Sequence, residues 1–137
     1  MKDRTIFVTK EDMQRLHDLV ASAERISSRD LQHLQVLKEE LERAEIVDSR
    51  EIPADVVTMN SRVRLKDLDS GRESIYALVF PRDADVAQGR ISVLAPIGTA
   101  IIGYRAGDVI VWAVPAGERR FKLEEVLYQP EAAGHAA

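Results

Sequence analysis

The 137-residue chain has no cysteine, only 5% aromatic residues, and no apolar run approaching the ~18 residues that a membrane-spanning helix needs. Without thiols, disulfides, cysteine zinc sites, iron–sulfur clusters and thiol nucleophiles are excluded. The opening Met1-Lys-Asp-Arg-Thr5 lacks the apolar stretch of a signal peptide, so none is expected. Neither sign of charge dominates: 19 basic against 23 acidic side chains give −4 and a pI near 5.4. A strong general attraction to nucleic acid or anionic lipid is therefore not expected. What is present is 45% hydrophobic and 31% charged sequence, too apolar for disorder and too charged for a membrane protein. A soluble cytoplasmic protein is expected, as one domain or a small domain with an appendage. A chain of this length buries roughly two-thirds of the surface it exposes when unfolded.

Charge does not divide the chain, since residues 1–50 carry 9 basic and 11 acidic side chains and the remainder 10 and 12. Hydrophobic pattern does. Thr5-Ile-Phe-Val8 is a short β-prone run, and Thr9 then suits a helix N-cap. Asp12, three residues on, approximates a capping box, and Val8 and Met13 take the positions of a hydrophobic staple. Met13, Leu16, Val20 and Ala23 continue at steps of 3 and 4, predicting a helix over about 10–23. After a break at Glu24-Arg-Ile-Ser-Ser28, Leu31, Leu34, Leu37, Leu41 and Ala44 form a second stripe, predicting a helix over about 29–46. Two such helices with a short connection predict an antiparallel hairpin over residues 1–50. It is a coiled-coil stub of roughly 20 and 27 Å at 1.5 Å per residue. The leucines read as helix-on-helix core. The connection residues Glu24, Arg25, Arg29 and Asp30 fit either a solvated turn or a binding tip.

From Pro53 the period changes to 2. Val57, Met59, Ser61, Val63 and Leu65 alternate with a polar set that includes Arg62, Arg64 and Lys66, which predicts a strand with one buried and one basic face. The basic stripe fits an acidic partner or a solvated edge-strand face defended by charge. Asp67-Leu-Asp-Ser-Gly71 is a turn and 72–80 a second strand. Ile91–Leu94 is short and apolar and reads as a central strand. Pro96 opens a short helix that Gly103 closes; 109–114 and 119–128 are the last strands, and the sequence after Gln129 reads as a frayed tail. The expected fold class is α+β, with a helical hairpin (1–50) and a mostly antiparallel sheet of four or five strands carrying one short helix (51–137).

No catalytic centre emerges. His17, His33 and His135 have no ligand spacing, and there is no H-E-x-x-H, no G-x-S-x-G and no Gly-Lys-Ser/Thr after Gly98 or Gly103. Asp83 and Asp85 form a D-x-D that reads as a turn feature rather than a cation site. No metal, no cofactor and no enzymatic activity are expected.

Four segments carry a resemblance: Asp55-Val-Val-Thr-Met-Asn-Ser-Arg-Val63, Ser92-Val-Leu-Ala-Pro-Ile-Gly98, Ala100-Ile-Ile-Gly-Tyr-Arg-Ala-Gly-Asp108 and Tyr128-Gln-Pro-Glu-Ala-Ala-Gly134. Together they resemble the bacterial regulator of nucleoside diphosphate kinase (Rnk) family. Ala84-Asp85, Gly89-Arg-Ile-Ser92, Ala95-Pro-Ile-Gly98 and Gly107-Asp108 more distantly resemble the C-terminal domain of the Gre transcript-cleavage factors. That kinship implies an FKBP-like C-terminal fold beside a coiled-coil arm, and binding to RNA polymerase at the mouth of its secondary channel. It makes Glu24, Arg25, Arg29 and Asp30 candidate polymerase contacts at the tip, and Arg62, Arg64 and Lys66 candidate contacts on the sheet face. Gre factors present an acidic pair at the tip that helps hold magnesium. Here, in Arg29-Asp-Leu-Gln-His33, Asp30 matches the first acid and His33 stands at the second. One carboxylate is a poor magnesium holder, and the predicted arm is short.

The expectation is thus a non-catalytic regulator that binds RNA polymerase, competes with Gre factors and does not stimulate transcript cleavage. Direct sequence-specific nucleic-acid binding and membrane association are not expected. Two alternatives stand beside it: a peptidyl-prolyl isomerase on the FKBP-like domain, and a weak cleavage cofactor acting through Glu24 or Asp30. Oligomeric state is left open, with a weak homodimer among the options, as is whether any effect on nucleoside diphosphate kinase is direct.

Overall fold

The computed structural model describes residues 6–26, 31–114 and 117–134. Strand β1 (Phe7–Thr9) runs straight into helix α1 (Lys10–Ile26), followed by helix α2 (Leu31–Glu42) and strand β2 (Glu45–Val47). The second half contains β3 (Arg62–Asp67), β4 (Glu73–Val79), β5 (Arg90–Ser92), helix α3 (Pro96–Ile101), β6 (Val109–Val114) and β7 (Gly117–Tyr128). Two 3-10 turns, Pro81–Asp83 and Val86–Gln88, bridge β4 to β5. The molecule is α+β. Among the described residues, no helix is long and apolar enough to cross a membrane.

Helix α1 begins where its cap chemistry dictates: the Asp12 amide donates to the Thr9 hydroxyl at 3.1 Å. Val8 and Met13 are both buried in the core, as a staple requires. Helix α2 stops at Glu42, about one turn short of the end that the leucine pattern predicts. Its chain instead turns into β2, whose Glu45 amide donates to the Ile6 carbonyl at 2.8 Å. β2 lies parallel to β1, with Ile46 beside Val8. Helical periodicity loses here to backbone partners that only the folded N-terminus supplies.

The main sheet has five strands in the order β5-β4-β3-β7-β6. All its pairings are antiparallel except β4 with β5. β3 is central, and β5, expected in the middle, is an edge strand. Ile91 and Val93 are buried nonetheless, because α3 packs over the end of β5. Gly98 makes that packing feasible: a Cβ there would sit 2.1 Å from the Ser92 carbonyl oxygen.

β3 also starts later than alternation predicts, at Arg62. Val56 to Met59 are all buried rather than alternating. They form a loop that closes through the Thr58 amide on the Ser61 hydroxyl (2.9 Å), with Asn60 at φ 69°. The chain after Gln129 is not frayed as far as residue 134. Gln129 Nε2 donates to the Pro53 and Val56 carbonyls, each at 2.8 Å, and Thr58 Oγ1 donates to Glu131 Oε1 at 2.7 Å.

One core unites both halves. Ile6, Leu16, Val20, Leu37 and Leu41 from the N-terminal segment join Val63, Leu78, Ile101, Ile110 and Leu123 in a single cluster. Each such side chain contributes about 1.5–3 kcal/mol relative to exposure.

Candidate functional site

Three places on the molecule gather functional groups: the junction of helices and sheet, the inner sheet face beside α3, and the outer sheet face.

At the junction, Asp12 is 1% exposed and accepts the Met59 amide at 3.1 Å through Oδ2. Its other oxygen is ion-paired with Arg15, whose guanidinium lies 5.3 Å from the centroid of the Phe80 ring. Burial pushes the Asp12 carboxyl above its usual range, while the Met59 amide and Arg15 oppose the shift. A second tie runs through Arg43, which donates from Nη2 at 3.0 Å to both Glu40 Oε1 and the Tyr104 hydroxyl. Backbone completes the joint: Phe7 N–H donates to Gly103 O (3.3 Å), and Gly103 N–H to Val57 O (2.9 Å). Gly103 holds φ +81°, and a Cβ there would meet Ile6 Cβ at 2.6 Å. Beside this joint a groove of about 450 Å³ opens between α1 and the Pro81–Asp83 turn. It is lined by Arg15, Asp18, Leu19, Ser22, Phe80 and Arg82.

On the inner face, a pocket of about 340 Å³ is lined by Leu65, Asp67, Tyr76, Ile97, Arg119 and Phe121. Asp67 is ion-paired with Arg119 and accepts the Asp69 amide at 2.9 Å and the Ser70 amide at 3.3 Å. The Arg119 hydrogen bond and these amides hold its carboxyl below the usual range.

On the outer face, the basic stripe of β3 is real in geometry and uneven in chemistry. Arg64 is ion-paired with Glu125 of β7. Lys66 stands opposite Glu73 of β4. Arg62 stands opposite Ala77 and is exposed. Of the expected tip residues, Glu24 and Arg25 fall in the last turn of α1, and Arg29 and Asp30 lie outside the described residues. Asp83 is exposed in the first 3-10 turn, and its side chain is 3.7 Å from Arg82. His17 is exposed on α1, and His135 lies outside the described residues. Among the described residues no group of three His, Asp or Glu is placed to hold a metal.

Sequence reasoning missed the junction. Asp12 reads locally as a cap residue, and nothing near it announces Met59 as its partner. It also missed Arg90, which the register sets on the same face as Arg62.

The sequence pattern described as "Transcription elongation factor, GreA/GreB, C-term" matches residues 52–128, and that described as "Rnk N-terminus" matches residues 4–47. A solved structure, "Prokaryotic transcription elongation factor GreA/GreB from Nitrosomonas europaea", superposes with a TM-score of 0.75 at 39% identity, covering 90% of this chain and all of that one. Fold and sequence thus define a protein of the GreA/GreB class. The chain is 38% identical over 135 residues to the "Regulator of nucleoside diphosphate kinase" of Escherichia coli (strain K12), covering 98% of this chain and 97% of the relative. It belongs to the regulator of nucleoside diphosphate kinase family. The "Transcription elongation factor GreA" of Clostridium botulinum (strain Hall) is 40% identical over 90 residues, which are 66% of this chain but only 56% of that protein.

Proposed function

We propose that this chain is a non-catalytic transcription regulator that binds RNA polymerase near the secondary channel and competes there with Gre factors without stimulating transcript cleavage. Helices α1 and α2 act as a short antiparallel arm, and the remainder as an FKBP-like dock. The observation that carries the non-cleaving part is helix length. At 1.5 Å per residue the 17 residues of α1 and the 12 of α2 extend about 26 and 18 Å. A GreA relative has 44% of its own length outside the matched stretch, chain that a longer arm can use. The tip also offers Asp30 alone where an acidic pair is needed, which suits Mg²⁺ poorly.

Pull-down with core RNA polymerase, followed by competition against a Gre factor, tests the binding. Retention at micromolar concentration and displacement by the Gre factor are expected; no retention overturns the proposal. Addition to a backtracked elongation complex tests the rest. RNA shortening that Asp30→Ala abolishes would make this a cleavage cofactor instead. The inner-face pocket is where an isomerase activity would reside. Asp67 there is already engaged by Arg119 and two amides, so a proline-peptide assay should stay at background.

A further inference from the structure

Arg62, Ala77 and Arg90 occupy one row across three adjacent strands, because Arg62 pairs with Ala77 in the β3–β4 register and Ala77 with Arg90 in the β4–β5 register. Paired residues share a sheet face, and two strand spacings separate the arginine Cα atoms by about 9.5 Å. Between them Ala77 contributes one methyl group, leaving a trough. The trough is a hollow of about 230 Å³ lined by Arg62, Ala77, Arg90 and Ile75, and by Gln88 and Gly89 of the adjoining turn.

Its charges are unbalanced, whereas three neighbouring cations on β3 and β7 are ion-paired. Arg64 has Glu125, Arg120 has Asp69, and Lys122 has Glu124. Among the described residues, the side chains of Arg62, Arg90 and Gln88 make no ion pair or hydrogen bond. The nearest acid in register is Asp85, which forms an isolated bridge with Arg90 through backbone (Arg90 N–H to Asp85 O, 2.9 Å). Its side chain makes no ion pair within 4.0 Å of Arg90. The turn that carries Gln88 is held rigidly: Gly89 adopts φ +74°, and its carbonyl accepts the Ala77 amide at 2.8 Å.

We infer that Arg62, Arg90 and Gln88 form a clamp for a phosphoryl group on the outer face of the sheet. Two guanidinium forks flanking one hollow suit a tetrahedral dianion, which accepts hydrogen bonds from both sides at once, better than a planar carboxylate, which one fork saturates. Volume decides the size of what enters. The hollow is below the roughly 300 Å³ at which pockets begin to engulf whole small molecules. A phosphoryl group therefore sits in it and the rest of its carrier stays outside. That carrier is a nucleotide or a nucleic-acid backbone. The clamp goes beyond polymerase docking and does not depend on it.

The test is a titration of the full chain with inorganic phosphate, followed by NMR of the arginine Nε–Hε signals at fixed ionic strength. Saturable shifts at Arg62 and Arg90, with a dissociation constant on the order of 1 mM, are expected. Arg62→Gln and Arg90→Gln should each weaken binding by about tenfold or more. Arg64→Gln, whose guanidinium is already committed to Glu125, should leave it unchanged, and Asp85→Asn should tighten it. Linear shifts without saturation, or equal loss from Arg64→Gln, would mean diffuse surface charge and overturn the clamp. Repeating the titration with ATP and with a short oligoribonucleotide identifies the carrier by whichever binds more tightly than phosphate. Phosphate binding by a chain that fails the polymerase pull-down would remove the regulator proposal and leave the clamp standing.

Discussion

The two faces of the five-stranded sheet are built from the same alternating strands and put to opposite uses. Inward, Val63 and Leu65 of β3, Leu78 of β4, Ile110 of β6 and Leu123 of β7 are all at most 4% exposed. The one carboxylate set among them, Asp67, is neutralised by Arg119. Outward, Ile75, Val109, Val111 and Tyr128 stand 36–47% exposed among charged neighbours, and Arg62 and Arg90 go unpaired by any described residue. The inner face uses its polar groups up on itself, while the outer face keeps donors in reserve. A face that leaves cations unpaired is the one with capacity for a ligand.

The sharpest way to break the contrast is to truncate one aliphatic side chain to alanine on each face. Leu65→Ala should cost about 2–5 kcal/mol in urea unfolding, because Leu65 is 1% exposed and packs in the core cluster. Val111→Ala, on the exposed face, should stay within about 0.5 kcal/mol. If the two costs were similar, the outer face would be covered in solution. Gly103→Ala tests the joint between helices and sheet. The left-handed backbone alone should cost about 1–2 kcal/mol, and the contact with Ile6 Cβ adds to it.

Asp12 and Asp67 sharpen the comparison through pH, with opposite signs. Asp12→Ala leaves the Met59 amide without its acceptor and should cost about 1–3 kcal/mol. Because burial raises the Asp12 pKa above 3.8, its linkage contribution is fully present below the unfolded value and is lost as pH rises through the folded one. Wild type should therefore gain stability relative to Asp12→Asn as pH falls through that window. Asp67 is lowered from 3.8, so its contribution is present above the unfolded value and is lost as pH falls toward the folded one. Wild type should lose stability relative to Asp67→Asn over that range, and denaturant midpoints taken from pH 7 to 3 would show the two trends diverging. The smallest effect belongs to Arg64→Ala, whose pair with Glu125 is half exposed. Its thermal midpoint should shift by no more than an exposed ion pair allows, about 1 kcal/mol or less.

The change of hydrophobic period near residue 50 falls inside a single core, with strands β1 and β2 before it and helix α3 after it. Leu16 and Leu41 look like partners only for each other on a helical wheel, yet both pack in the cluster that holds Leu78 and Leu123. The candidate site was legible in part. Alternation put Arg62, Arg64 and Lys66 on one face, and the register then divided them by what stands opposite each: Ala77, Glu125 and Glu73. Arg90 was invisible as their neighbour because local pattern ends the preceding loop at Arg90 and begins the strand at Ile91, whereas β5 starts at Arg90 itself. Strand order depends on contacts across tens of residues, which no local pattern encodes.

What the sequence determined by itself is whatever a few neighbouring residues enforce. The Thr9 cap begins α1, Pro96 opens α3, the left-handed Gly103 ends it, and alternation runs through β3. These rest on bonds and clashes within a turn or two of chain. Tertiary structure alone decided that α2 yields to a strand at Glu45, that Asp12 turns to Met59, and that Arg62 and Arg90 flank Ala77 in one row. Each of those is a hydrogen bond or register between segments distant in sequence. Its free energy exists only once the loops between them have closed.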